Sequence, residues 1–135
     1  MKKLLSTRYS ASAFNTAMFI LRVGAGVLMA VHGYDKIVHF KQYSSHFMNF
    51  MGIGQSTSLA LDIFAEFFCS IFVILGLFTR LAVIPILIAM LVAIVKAHNV
   101  DLFGEAEHPA LFFLIFLAIL FVGPGRVSVD GMVNK

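Results

Sequence analysis

The chain has 135 residues, 60% of them hydrophobic and 13% charged, with a formal net charge of +3. A water-soluble domain is roughly 45–50% apolar and about 25% charged, so 10 Lys and Arg and 7 Asp and Glu are too few to clothe a soluble surface, and lipid is the solvent this composition suits. The bases form no dense stripe, which argues against a nucleic-acid partner, and the single cysteine, Cys69, excludes an internal disulfide or a paired-cysteine redox motif.

Met1-Lys2-Lys3 resembles the opening of a signal peptide, but the apolar run that follows carries Arg22 in its middle. Three further runs come after it, so the first is read as a retained helix. The runs are Phe14–Val31, Leu59–Phe78, Leu81–Ala97 and Pro109–Val122. A spanning helix needs about 17–25 residues. The first three fit. The fourth is short and is expected to extend into a flank, thin the bilayer or pack inside the bundle. Helix is the state that satisfies every backbone group in hydrocarbon, and the period-2 alternation of a barrel is absent. The prediction is an all-α integral membrane four-helix bundle, one domain over residues 1–135.

Between the first two runs lies a long loop, about Gly33 to Ser58. Its Phe40, Tyr43, Phe47, Phe50 and Met51 recur at helical spacing. They predict a helix lying in the membrane interface, either over the mouth of the bundle or as a simple anchor, ended by Gly52-Ile53-Gly54. Runs two and three are joined only by Phe78-Thr79-Arg80-Leu81, which forces a tight antiparallel hairpin. Pro85 and Pro109 sit in first turns, where a missing N–H costs least. Gly123-Pro124-Gly125 terminates run four. With four crossings, Lys2, Lys3, Arg8, Arg80, Arg126 and Lys135 share one side, and Lys36, Lys41 and Lys96 the other. That bias predicts both termini in the cytoplasm.

Arg22 and Glu66 lie mid-run, where a charge costs at least about 2.5–3.5 kcal/mol, so they are expected to pair. Arg22 is ten residues from His32, ~15 Å along a helix, and Glu66 is about eight residues below the outer start of run two, ~12 Å. Arg22, Gly26, Ala30 and Gly33 form one small-residue face. Asp62, Glu66, Cys69, Ser70 and Val73 form a face that should meet it. The catalytic candidates are Glu66, to exchange protons, and Arg22, to attract an anion or orient Glu66. His32, Lys36, Asp62, Lys96 and His98 are the expected ligand-binding rim above them. The plainer reading is a buried ion pair that fixes helix register. His32, Asp35 and His39 have only weak metal-ligand spacing, and no metal site is expected. Cys69 reads as a packing residue. Phe67, Phe68, Phe72, Phe112, Phe113 and Phe116 are mostly lipid-facing bulk, although they would also flank a cleft suited to a lipid-soluble ring.

Three blocks of the sequence resemble the DoxX family of small membrane proteins. They are Leu21-Arg22 with Gly26 and His32-Gly33-x-x-Lys36; Glu66 with Leu75-Gly76-Leu77-Phe78-Thr79-Arg80; and Gly123-Pro124-Gly125-Arg126-x-Ser128-x-Asp130. Where the family usually has glycines three and four residues after the membrane glutamate, this chain has Cys69 and Ser70. The resemblance implies a bacterial inner-membrane protein associated with quinone-linked or thiol-stress redox systems. The leading expectation is a subunit of such a system, binding a quinone or small sulfur species near the Arg22–Glu66 pair, with redox enzyme subunits as partners. The alternatives are a non-enzymatic scaffold that recruits other membrane proteins and a small carrier working as an oligomer. No flavin, haem or dinucleotide motif is present, so electrons would come from a bound quinone, another cofactor or a partner subunit.

Overall fold

Helix α1 runs over Ala11–Val38. Ser10 Oγ accepts the Ala13 N–H and caps its start. The helix therefore outruns the apolar stretch at both ends, and its 28 residues reach ~42 Å. This is one chain of a computed structural model that describes residues 4–97, 104 and 107–133.

The loop that follows is shorter than its sequence suggests, because helices consume both its ends. Helix α2 is only Phe40–Ser44, and a single 3-10 turn covers Phe50–Gly52. The helical spacing of Phe47 and Phe50 is therefore not used as helix. Met51 and Gly52 both turn left-handed, at φ 52° and 78°. Helix α3, Gln55–Leu75, contains a π-helical turn at Phe64–Phe68 that carries Glu66. Helix α4, Thr79–Val92, continues as a second π-helical turn to Ala97. Helix α5 is Glu107–Val122, and α6 is the short Val129–Val133.

Helix α1 packs against α3 and α5, and α4 packs against the same two. Met29, Val73, Val83, Ile86, Phe116 and Ile119 are buried between them. The outward faces are apolar too: Leu28, Phe72, Leu81, Ile88, Leu114 and Phe121 are all exposed. On a soluble protein so wide an apolar surface would be a liability, whereas it is the surface lipid requires. Helices α1 and α3 are long and apolar enough to cross a membrane, and α4 and α5 are apolar but shorter.

The α3–α4 hairpin closes as expected from its brevity. Gly76 takes φ 70°, and the Leu77 N–H reaches back to Phe72 O while the Gly76 N–H reaches Val73 O, which is the Schellman pattern. Helix α5 stops before Gly123-Pro124-Gly125, where both glycines are left-handed. The chain then turns back across this end of the bundle and is tied down there. The Arg126 N–H donates to Asn15 Oδ1 at 2.9 Å, and the Asp130 N–H donates to Gly76 O at 2.8 Å.

Candidate functional site

The polar centre of the molecule is built on the absence of a side chain at Gly33. A Cβ added there would stand 2.8 Å from the backbone nitrogen and Cβ of Phe67 and 2.9 Å from the carbonyl carbon of Glu66. Glycine therefore lets α1 approach α3 within backbone contact at Glu66. Three residues further along α1, on the same face, comes Lys36. Its Nζ donates to Glu66 Oε2 at 2.5 Å and also to Asp62 Oδ2. Asp62 and Glu66 are one turn apart on α3, so one ammonium bridges two stacked carboxylates. The side chains are 20% (Lys36), 15% (Asp62) and 6% (Glu66) exposed, so screening by water is slight and the geometry is held by charge.

Beside this triad lies a cavity of about 300 Å³ between the loop and helices α3 and α4. That is at the lower end of the range for small-molecule sites. Phe47, Met48 and Phe50 wall it from the loop, Leu61, Phe64 and Ala65 from α3, and Pro85, Ile88, Ala89 and Val92 from α4. Ser58 and Asp62 are its polar lining groups. Asp62 thus belongs to both the triad and the cavity. The Phe47 ring closes the arrangement, with Lys36 Nζ 5.8 Å from its centroid, within cation–π range.

Arg22 is elsewhere, and the expected Arg22–Glu66 pair is not formed. Arg22 is 2% exposed and spends its guanidinium on the far end of the bundle. Its Nη1 donates to Pro124 O and its Nη2 to Val127 O, both at 2.8 Å. Phe19 lies beneath it at 5.6 Å. The reason is the antiparallel offset of the helices. Gly33 is level with Glu66, and Arg22 is eleven residues further along α1, about 16 Å away at 1.5 Å per residue. Arg22 instead lies against Gly76. The two faces predicted to meet do meet, since Gly26 abuts Ser70 and Ile74, but the cation opposite Glu66 is Lys36.

At the same end, the Asp130 carboxylate accepts the N–H groups of Phe78 and Thr79 at 2.8 and 2.9 Å and so caps α4. Burial pushes its pKa up. The bonds from Thr79 and Phe78, with the charge of Arg22, outweigh that and hold the carboxyl below its usual range. Arg22 is therefore a structural clamp on the carboxy-terminal segment in this geometry.

Of the other predicted rim residues, His32 is exposed and turns its ring edge to Phe112 at 5.9 Å, away from the triad. His98 and the side chain of Lys96 lie outside the described residues. Asp35, one residue before Lys36, faces outward and accepts the Tyr43 hydroxyl at 2.5 Å, with His39 Nδ1 3.1 Å away. The bond to Asp35 pushes the Tyr43 hydroxyl pKa up. Cys69 is buried in the core. The cavity-lining Phe47, Phe50, Phe64 and Ala89 were not singled out together, because they belong to three elements. Lys36 was expected only on the rim; its place at the centre follows from the close approach at Gly33, three residues before it on the same face.

The match to a family profile described as DoxX covers residues 17–99, from early α1 to beyond α4, and so includes the triad and the cavity. A protein of Mycobacterium tuberculosis named an uncharacterized membrane protein is 32% identical over 136 aligned positions, covering 88% of this chain and 82% of that protein. No solved structure matches the chain.

Proposed function

The chain belongs to the DoxX family of membrane proteins, and on that premise we propose that it binds a lipid-soluble ring compound of the quinone class for a redox or quinone-stress system. The observation that carries this reading is the apolar, aromatic-walled cavity whose one ionisable lining residue among the described residues, Asp62, belongs to a buried ion triad. A planar apolar body fits walls of Phe47, Phe50 and Phe64, and a polar head finds Asp62. A small sulfur anion suits the place poorly, since it would meet hydrocarbon on most sides and a carboxylate at the polar end. The ligand role therefore moves from Arg22 and Glu66 to Asp62, Lys36 and Glu66. In this reading the chain crosses the inner membrane four times, with both termini cytoplasmic, by the distribution of Lys and Arg. The cavity then opens toward the outer half of the bilayer.

The test is native mass spectrometry of protein extracted from its own membranes in mild detergent, wild type beside Ala89→Phe, which fills the cavity from α4. A small molecule of quinone class carried by wild type and absent from Ala89→Phe is the expected result. Partner proteins without any small molecule, identical in the two samples, would refute the ligand reading and favour a scaffold.

A further inference from the structure

This inference rests on the cavity being a ligand site and concerns what its polar end selects. Asp62 and Glu66 both bond the same ammonium, Lys36 Nζ. With all three groups ionised the cluster carries one net negative charge inside an apolar surround. That is costly at membrane depth, and one proton on the carboxyl pair removes it. Each carboxyl group has an oxygen bonded to that one nitrogen, so the two are held side by side, where like charges disfavour ionisation of both.

Of the pair, it is Asp62 that lines the cavity. The other polar lining group, Ser58, is already engaged: its Oγ donates to Gly54 O and accepts the Phe50 N–H. A ligand head therefore meets Asp62. Among the described residues, the charged and titratable side chains facing the pair are Lys36 from α1 and, from α2, Tyr43, whose hydroxyl is bonded to Asp35. Among the described residues, helix α4 turns Pro85, Ile88, Ala89 and Val92 to this place.

We propose that the Asp62–Glu66 pair holds one proton beside the Lys36 ammonium and presents it to the cavity through Asp62, so that the site selects neutral ligands with a hydrogen-bond-accepting head and links their binding to that proton. No covalent step is involved. The acid O–H donates to a ligand carbonyl, and loss of the proton leaves an acceptor facing an acceptor.

The experiment measures decylubiquinone binding to detergent-solubilised full-length protein from about pH 6 to about pH 10. Wild type is compared with Asp62→Asn, which keeps a donor but has no proton to lose, and with Tyr43→Phe. Wild-type affinity should be flat on the acid side and then fall about tenfold per pH unit, the slope of one linked proton. Asp62→Asn should bind with no slope, and Tyr43→Phe should keep the wild-type slope. Decylbenzene, which has the tail without the acceptor, should bind more weakly and independently of pH. If Asp62→Asn does not fold, proton uptake by wild type in weak buffer on the alkaline limb decides: one proton per ligand supports the link and none overturns it. Binding without a slope, or a slope that persists in Asp62→Asn, refutes the proton link and leaves the ligand site standing. Failure of wild type to bind at any pH refutes both.

Discussion

Gly33→Ala tests the close approach on which the triad depends. The added Cβ would stand 2.8–2.9 Å from three atoms of α3, two of them backbone, so rotation of a side chain cannot relieve the contact. Carbon atoms rest at about 3.5–4.0 Å, so α1 and α3 must part by roughly 0.7–1 Å at this crossing. Overpacking of this kind costs about 1–3 kcal/mol, against up to ~1 kcal/mol regained from the better helix propensity of alanine. The expected net loss is about 1–2 kcal/mol, measured by reversible unfolding of detergent-solubilised protein in rising SDS, followed by far-UV circular dichroism. Gly24→Ala is the internal control, since a Cβ there meets nothing within 4 Å and should leave stability unchanged or slightly raised. Lys36 is one turn away, so Gly33→Ala should also weaken ligand binding at the cavity. Equal stability of Gly33→Ala and Gly24→Ala would refute the claim that this glycine sets the helix separation.

Arg22→Lys should lose at least one of the two carbonyl bonds, about 1.5–3 kcal/mol for a charged donor. It should expose residues 123–133 to limited proteolysis, and a digestion rate equal to wild type would contradict the clamp. Lys36→Met leaves two carboxylates without their cation and should cost about 3 kcal/mol in the same unfolding assay. Adding Asp62→Asn and Glu66→Gln to Lys36→Met should recover part of that loss, and no recovery would argue that charge is not what the triad balances. Asp130 has its folded pKa depressed below the ordinary 3.8. Its contribution to stability is therefore present above that value and lost as pH falls through the folded one. Wild type should weaken on this acid limb, while Asp130→Asn should be weaker already at neutral pH and show a shallower limb. Parallel acid limbs in the two proteins would remove Asp130 as the cause.

The helical, lipid-solvated character of the chain follows from composition and pattern together, because only helices and closed barrels satisfy backbone polar groups in hydrocarbon and the alternation of a barrel is absent. The end marked by Gly123-Pro124-Gly125 was equally legible, since left-handed turns favour glycine, and both glycines are left-handed in the fold; the end at Gly76 was not, because the apolar run reads through it to Phe78, whereas the left-handed Gly76 stops the helix at Leu75. The meeting of the Gly26–Gly33 face with the Glu66–Ser70 face also followed from small-residue spacing. The reach of α1 was not legible. Asp35 and Lys36 read as the start of a loop, yet the helix continues through them to Val38, because the triad satisfies the lysine.

Which cation faces Glu66 was a question of register. Arg22 and Lys36 lie on the same face of one helix, both suit a carboxylate, and local pattern ranks neither above the other. Only the antiparallel offset, set where Gly33 touches Glu66 and where Pro124 and Val127 offer carbonyls to Arg22, assigns one to the carboxylates and the other to the clamp. The cavity is beyond local pattern for the same reason. Its walls come from Phe47, Asp62 and Ala89, which no periodicity connects. Sequence by itself determined which residues are buried in lipid or protein, because burial is a property each segment carries alone. Tertiary structure decided which of them meet, because an offset between two helices is a property of neither.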